Sequence, residues 1–399
     1  MAEASIDGMG FFDGANAGGA FRLSEAAQED ASETIDAWRI ELRAGSQIVV
    51  ARGKSGANYE LVRDEALAAA NKGLDLMCLR GAPPLAIRHA AAEHVAWWSE
   101  RSESVIRLLS APTITLGAPK VTVTGGVPVL PPVPVWQESA RYFRLSQLTD
   151  DLFDSFRNVY LALESILDSL TPQRTVRPKE GEGEWFRRAL TEADKVVGLV
   201  AHAPEGAADP VEALYDELYS STRNLVFHAK STRAYLLPHS SSQRRAVEET
   251  TRRAARLYLA LAQEVIHLRP SMSGWFAGFW RQSLEAIGPR LGMVVTNDAS
   301  PFAPDDTAVN PSGGALVELD VNRAQEYDRP FEHAFLGTGP GNEVASLGRI
   351  TRVCSTVDGE PSAAAIPDGE LLVTEVDRFE TLLVLRARNA NEPKRDFAS

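Results

Sequence analysis

The feature that most constrains the fold is a long helical pattern in the middle of the chain, from Gln147 to Leu268. In its first part, apolar residues recur at every third or fourth position over roughly six turns, which predicts an amphipathic helix that buries one face. These apolar residues are Leu148, Leu152, Phe153, Phe156, Val159, Tyr160, Leu163, Ile166, Leu167 and Leu170.

Three more helices are predicted after this one. The second runs from Glu184 to about Val200, and the third begins at Asp209-Pro210, where Asp is a favourable N-cap and Pro suits the first helical position. The fourth runs from Gln243 to about Leu268. Four helices of this length with short connections predict a compact four-helix bundle.

Strand-like patterns flank the helical region, so the predicted fold class is α+β. On the N-terminal side we predict two short strands between Ile35 and Val50, helices from about Tyr59 to Leu79 and from Leu85 to Trp98, and strands near 105–109 and 114–123. On the C-terminal side, apolar runs separated by Gly, Asp and Pro predict an antiparallel sheet. Its strands are expected at 293–295, 315–321, 344–353, 371–376 and 381–386.

These patterns divide the chain into six predicted segments. They are a mobile tail over 1–30, a mixed α/β domain over 31–140, the helical bundle over 141–270, an aromatic connecting helix over 271–290, a β-rich domain over 291–388 and a tail over 389–399. The two flanking domains are also consistent with one sheet that the helical region interrupts.

Composition and charge limit the class of protein. The net charge of −13 argues against a protein that coats nucleic acid with its whole surface. Cys78 and Cys354 lie far apart in the sequence, so the cysteines predict neither a disulfide framework nor a zinc site. No leader peptide or membrane-spanning run is evident in the sequence. We therefore expect a cytoplasmic protein that does not associate with membranes.

One segment of the chain is basic, although the chain as a whole is acidic. Residues 223–256 hold eight basic and two acidic residues, a net charge of +6, which leaves −19 for the rest of the chain. A basic patch on an acidic body is consistent with a local site for a polyanion, although a solvated helix face produces the same pattern.

Three motif-like stretches predict no site. Gly53-Lys54-Ser55 lacks the first glycine of a phosphate-binding loop, and the run that begins at Gly337 has Asn342 where the dinucleotide fingerprint needs glycine. His89 and His94 are five residues apart, whereas zinc-binding pairs on a helix are three or four apart. No metal or other cofactor is predicted.

The stretch from Ser220 to Lys230 is the best candidate for chemistry. On a helical wheel Leu218, Leu225 and Val226 form the core stripe, whereas Arg223, Asn224, Phe227 and His228 form a second face. An apolar Phe227 among polar neighbours is typical of a subunit interface. An ordinary polar helix face remains the alternative interpretation.

Arg223-Asn224, three further residues and then His228, late in the third helix of a predicted bundle, resembles the Arg-Asn-x-x-x-His signature of HEPN (higher eukaryotes and prokaryotes nucleotide-binding) domains. The resemblance covers about residues 145–268. It implies a homodimeric, metal-independent endoribonuclease that cleaves single-stranded RNA, of the kind found in antiviral defence, toxin or RNA-processing systems. Other members of the family only bind or scaffold.

The resemblance also assigns residues. It implies catalytic roles for Arg223, Asn224 and His228 and a dimer contact through Phe227. In the basic segment that follows, the expected RNA contacts are Lys230, Arg233, Arg244 and Arg245. The alternative is a non-catalytic dimerisation scaffold whose β-rich flanks bind a protein partner or a small ligand.

Overall fold

The chain has an α+β fold built from two compact units. The computed structural model describes residues 3–56, 58–88, 90, 92–100, 102–116, 133–176, 179–227, 241–268, 277–299, 314–329, 331–365, 367 and 369–389. The first unit, the sheet unit, combines Met1–Leu116 with Gly274–Arg388. The second, the helical unit, has Gly117–Ser273 as its main segment.

Within the described part of the chain, thirteen strands of the sheet unit form one sheet. In the order in which they pair, they are β15 (Glu360–Ala365), β14 (Arg352–Val357), β10 (Leu291–Thr296), β11 (Leu316–Arg323), β12 (Glu332–Pro340), β17 (Arg378–Asn389), β8 (Glu103–Ser110), β7 (Glu93–Glu100), β3 (Ala17–Arg22), β6 (Ile48–Gly53), β5 (Trp38–Leu42) and β4 (Ala31–Ile35), with β9 (Thr113–Leu116) beside β17. A second sheet has the order β13 (Arg349–Ile350), β16 (Leu371–Glu375), β1 (Glu3–Ile6) and β2 (Met9–Gly10).

The parallel pairing of β8 with β17 joins the N-terminal and C-terminal segments. Arg378 lies opposite Val105 and Leu383 opposite Ser110, while the other neighbours along the large sheet are antiparallel. The flanks predicted as separate domains over 31–140 and 291–388 are therefore one unit, interrupted by the helical unit. This is the split arrangement that the sequence left open.

The prediction of a mobile tail over 1–30 is wrong. β1 pairs with β16, and β3 lies between β6 and β7 with most of its residues buried. Its sequence, Ala17-Gly-Gly-Ala-Phe-Arg22, lacks the alternation that marks a half-exposed strand, because both faces are covered. Small residues are needed there, since a Cβ on Gly18 would lie 2.1 Å from the Trp97 ring.

The helix predicted from Leu85 to Trp98 is also wrong, because this region contains β7. The run from His94 to Trp98 is buried without a break between β3 and β8. Periodicity alone does not distinguish a strand buried on both faces from a helix segment. His94 accordingly lies in a strand, where Nε2 is 2.9 Å from the Tyr59 hydroxyl and Nδ1 is 2.7 Å from the Ala90 carbonyl.

Several other boundaries differ from the predictions. Gly337 and Gly339 lie in β12, where they allow Leu319 to approach the backbone closely. The strand expected at 344–353 begins with the short helix α9 (Gly341–Ala345) and continues as β13 and β14. By contrast, α1 (Tyr59–Leu79) has the predicted bounds, and the Asn58 side chain caps its first turn.

The helical unit contains five main helical segments within its described residues. They are α2 (Glu138–Leu148), α3 (Leu152–Leu170), α4 (Glu182–Val197), α5 (Pro210–Tyr215) with its continuation to Val226, and α7 (Ser241–Val265). Asp151 caps α3, and Asp209 caps α5 as the sequence predicts. Short 3-10 turns lie at Leu199–Ala201, Gly288–Arg290 and Gln325–Tyr327.

The predicted connecting helix over 271–290 is described only from Ala277, as α8 (Ala277–Ile287), and it belongs to the sheet unit. Trp280 and Leu284 share a buried cluster with Ala387 of β17. Among the helices described, none combines the length and the apolar character that crossing a bilayer requires.

A buried ion pair spans the junction of β8 and β17. Arg107 donates to Glu380 through Nε at 2.7 Å, and its guanidinium lies 4.3 Å from the centre of the Tyr59 ring. Removing one partner of a buried pair leaves the other charge desolvated without compensation, which is strongly destabilising. The junction between the two halves of the sheet unit therefore depends on this pair.

We predict that Glu380→Ala lowers the free energy of unfolding of the sheet unit by about 3 to 5 kcal/mol, the range observed when buried pairs are broken. Urea unfolding followed by tryptophan fluorescence measures the change. The control is Arg290→Ala, which removes a surface ion pair with Asp358 and should leave the transition midpoint near that of wild type. Equal midpoints for the two variants would contradict the role assigned to the buried pair.

Candidate functional site

The described part of the helical unit contains five of the eight residues predicted for the site. They are Arg223, Asn224, Phe227, Arg244 and Arg245. His228, Lys230 and Arg233 lie outside the described residues.

Arg223 and Asn224 lie where a π-helical stretch returns to α-helix. The helix runs as α5 to Tyr215, as a π-helix over Asp216–Arg223, and as a short α-helical turn, α6 (Asn224–Val226). π-Helical insertions are rare and often mark functional sites. The wider turn also means that a helical wheel with 100° per residue does not describe this face, and Leu225, predicted in the core stripe, is only partly buried.

Two neighbours fix the Arg223 guanidinium. Nη2 lies 2.5 Å from Oε1 of Glu182 in the first turn of α4, and Nη1 donates to Oδ1 of Asn224 at 3.2 Å. Arginine has five N–H donors, and Nε of Arg223 is buried without a partner in the described structure. Nη1 and Nη2 each donate one of their two hydrogens to these neighbours, and the side chain is 20% exposed, so the guanidinium is oriented and its remaining Nη hydrogens are the donors available to another ligand.

Asn224 contacts the residue before it in the chain. Its side-chain oxygen accepts a hydrogen bond from Arg223. Asn224 is therefore placed to restrain the guanidinium.

Aromatic rings enclose the same guanidinium along the helix. Arg223 Cζ lies 5.3 Å from the centre of the Tyr219 ring and 5.4 Å from that of Phe227, one turn away on either side. Such cation–π contacts hold a guanidinium by its faces and leave its edges open. The close packing requires a glycine in α4, because a Cβ on Gly183 would lie 2.8 Å from the Tyr215 hydroxyl.

A second carboxyl group lies beside this ion pair. Glu164 of α3 lies within electrostatic reach of both Glu182 and Arg223. Burial raises the pKa of Glu164 to about 7, and the charge of Glu182 acts in the same direction. The Arg223 charge opposes the shift but is shared with Glu182. Near neutral pH, one proton is therefore held close to Arg223.

Tyr160, one turn before Glu164, completes the polar cluster. Its hydroxyl is buried without a hydrogen-bond partner in the described structure, although its ring stacks on Phe186 at 5.6 Å. Burial and the nearby Glu164 charge raise the pKa of this hydroxyl, so it remains a neutral donor. Together, Tyr160, Glu164, Glu182 and Arg223 form what we call the Arg223 cluster.

Phe227 has the exposure expected of an interface residue. It is 36% exposed, and its ring contacts the Tyr160 ring edge-on at 6.2 Å. Arg157 lies 5.7 Å from the ring centre and donates to the Val226 carbonyl at 3.4 Å, which satisfies an acceptor near the helix end.

Carboxylates pair with some of the arginines in the basic segment 223–256, so its positive charge is more neutralised than the sequence suggests. Arg244, predicted to contact RNA at the surface, is buried, and its Nε lies 3.1 Å from Glu248, which does not fit the expected role. Arg253 pairs with Glu217 at 2.8 Å. Arg245 is exposed, as a phosphate contact requires.

Sequence reasoning missed Glu164, Glu182 and Tyr160 as members of the site. A signal for Glu164 was present in the helical wheel of α3, where it lies about 40° from Tyr160 and about 60° from Leu167, on the side that faces the core. A carboxylate at such a position requires a partner. No comparable signal exists for Glu182, because its contact with Arg223 depends on the packing of α4.

Comparison with known proteins assigns no family. No family model matches the chain, and no curated protein or solved structure is significantly similar to it. Within the described residues, no three His, Cys, Asp or Glu side chains are grouped so that they could hold a metal ion.

We predict that Glu164 makes the helical unit less stable as the pH rises from about 4.5 to about 7. In this window the unfolded chain has released the Glu164 proton while the folded chain still holds it, so folding binds a proton. In this window, the contribution of Glu164 to the free energy of unfolding falls by at most about 1.4 kcal/mol per pH unit. The measurement is urea unfolding of wild type and of Glu164→Gln at pH 5 and at pH 8. The difference in the free energy of unfolding between the two proteins is compared at the two pH values.

Glu164→Gln should gain stability relative to wild type as the pH rises from 5 to 8, because the amide does not titrate. Glu192→Gln, an exposed substitution on α4, provides the control and should follow wild type. A constant difference between wild type and Glu164→Gln would show that Glu164 is ionised at pH 5.

Proposed function

We propose that the helical unit is a HEPN-type four-helix bundle and that the protein is a metal-independent endoribonuclease that cleaves single-stranded RNA as a homodimer. The observation that carries the proposal is the geometry around Arg223. The arginine of the Arg223-Asn224-x-x-x-His228 motif is oriented by Glu182 and Asn224, flanked by rings and left with unused donors.

The packing of the helices supports the bundle. α3, α4, the helix from Pro210 to Val226, and α7 contribute buried side chains to one core. Representative members are Phe156 and Leu163 of α3, Phe186 of α4, Leu218 of the π-helical stretch, and Tyr258 of α7. Arg223 and Asn224 lie late in the third of these four helices, which supports the proposal.

The chemistry of RNA cleavage gives each residue of the motif a task. The ribose 2′-hydroxyl attacks the adjacent phosphorus, so the site needs a base for the 2′ proton, a cation for the phosphorane oxygens and an acid for the leaving 5′ oxygen. His228 is proposed as the base, because an imidazole has an ordinary pKa near 6.5. Arg223 is proposed as the cation, since a planar guanidinium can bind two phosphate oxygens together.

A non-catalytic scaffold is the second candidate, and the charge pairing favours it. Arg223, Arg244 and Arg253 each contact a carboxylate, which reduces the positive potential that would attract RNA. In this alternative, the ion pairs and the aromatic rings stabilise the helix, and Phe227 contacts a second copy. Cleavage assays separate the two candidates.

We predict that wild-type protein cleaves single-stranded RNA in the presence of EDTA and that Arg223→Ala and His228→Ala each reduce the rate by about 100-fold or more, the usual effect of removing such a group. A fluorescently labelled RNA oligomer resolved on a gel measures the rate. Arg141→Ala, an exposed arginine on α2, is the control and should retain wild-type activity. Equal activity of wild type and the two motif variants would favour the scaffold.

We predict that Phe227→Asp converts the proposed dimer to a monomer, because the substitution places a charge on a partly exposed aromatic surface. Analytical ultracentrifugation across a concentration series measures the change. Leu148→Asp is the matched control, since Leu148 is also an exposed apolar residue of the helical unit but lies away from the motif in sequence. A wild-type monomer at all concentrations would exclude the proposed dimer.

A further inference from the structure

The large sheet of the sheet unit encloses a hollow on one of its faces. Met293 of β10 and Val353 of β14 line this hollow together with Ser110 of β8 and Leu383 of β17. Two strands, β11 and β12, separate β10 from β17 in the order of pairing, so the sheet must curl around the hollow. Met293, Val353 and Leu383 also belong to one buried apolar cluster. The hollow is therefore part of the core of the sheet unit.

The hollow has the size and the polarity of a small-molecule site. Its volume is about 350 Å³, part of which is open to solvent. Small-molecule sites have volumes of about 300 to 1,000 Å³ and mainly apolar walls, with a few polar groups that orient the ligand. Among the described residues of the wall, none carries a charge. A charged ligand would lose its hydration there without compensation, so the wall selects a neutral one.

One polar group of the wall has no partner within the described structure, the Thr381 hydroxyl. Thr381 of β17 is 1% exposed, and its Oγ1 makes no hydrogen bond there. Phe379 and Leu383, two residues away on either side, belong to the cluster around the hollow, whereas Leu382 belongs to another cluster. Because side chains alternate between the two faces of a strand, Thr381 points to the same face as Phe379 and Leu383. Its hydroxyl is therefore a buried donor that faces the hollow.

The other polar side chains of the wall differ from Thr381. Ser355 Oγ lies 2.9 Å from Ser362 Oγ of β15, Ser110 is half-buried, and the Cys354 thiol is only a weak donor. Native folds satisfy most of their buried polar groups, and a buried hydroxyl without a hydrogen bond costs free energy. An acceptor atom inside the hollow would remove this cost at Thr381.

A glycine of β12 preserves the shape of the wall. Gly337 lies opposite Thr381 in the pairing of β12 with β17. A Cβ on Gly337 would lie 2.8 Å from Sδ of Met293 and 3.1 Å from Cδ1 of Leu319, so a larger residue would force these side chains to shift. The Met293 side chain is flexible and polarisable, which suits a wall that adapts to a ligand. The glycine run, to which the sequence assigned no site, thus has a role beside the hollow.

We propose that the hollow binds a small neutral carbonyl compound with an apolar body, and that the Thr381 hydroxyl donates a hydrogen bond to its oxygen. A carbonyl fits better than an alcohol, because a carbonyl oxygen accepts without adding a donor that the wall would have to satisfy. The proposal does not depend on the ribonuclease function, and it applies equally if the helical unit is a non-catalytic scaffold.

The test titrates the full-length protein with two probes of nearly the same shape. Acetophenone has a carbonyl oxygen, and α-methylstyrene has a CH₂ group in its place. Carbon-13 labelling of the methionine methyl groups gives an NMR signal for Met293, identified by its absence in Met293→Leu. We expect both probes to shift this signal, and Thr381→Val to weaken the binding of acetophenone about 10-fold while that of α-methylstyrene changes by less than about twofold.

Two further variants control the result. Thr381→Ser keeps the hydroxyl and should bind both probes as wild type does. Thr251→Val on α7 removes another buried threonine hydroxyl, one that donates to the Val247 carbonyl at 2.6 Å, and it should leave both affinities unchanged.

Three outcomes would overturn the proposal. The first is that neither probe shifts the Met293 signal of wild type. The second is that Thr381→Val weakens both probes equally or weakens neither, since the hydroxyl would then not select the ligand. The third is a Tm of ligand-free Thr381→Val below that of wild type, because loss of a hydroxyl without a partner should not destabilise the fold.

Discussion

β8 and β17 pair in parallel, and this pairing determines how the rest of the chain is arranged. Parallel neighbours require a long crossover connection, in contrast to the short turn that suffices for a hairpin. Here the connection contains the helical unit as well as the strands from β9 to β16. A long insertion adds little closure cost, because that cost rises only with the logarithm of loop length. The buried contact of Arg107 with Glu380 then reinforces the junction.

The fold could be predicted from the sequence where one face of an element is exposed. α1 and α3 have apolar stripes on one face, so the bounds of α1 and the presence of α3 agree with the structure. Elements covered on both sides lack such a pattern. The sequence predicts a tail where β3 lies and a helix where β7 lies, because small or uniformly apolar residues have no period that identifies a strand.

Some residues of the candidate site can be identified from local sequence, whereas others come together only when the helices pack. Arg223 and Asn224 form a motif in consecutive residues, so the sequence alone was enough to select them. Glu164 and Glu182 lie on two other helices, and only the packing of α3 and α4 brings them to Arg223. A helical wheel drawn for an α-helix does not reveal the π-helical stretch, although this stretch determines which residues surround Arg223.

The second carboxyl group is the feature that a purely structural interpretation explains least well. An ion pair that only stabilised the helices would need Glu182 and Arg223, and a glutamine at position 164 would have no charge to desolvate. With glutamate there, folding must either bury a charge or retain a proton, and both reduce stability at neutral pH. Structural networks also shift pKa values, so a raised pKa is not sufficient to identify a site. At the Arg223 cluster, the raised pKa of Glu164 coincides with an oriented guanidinium that is 20% exposed, so the glutamate carries a stability cost that the ion pair of Glu182 with Arg223 does not explain.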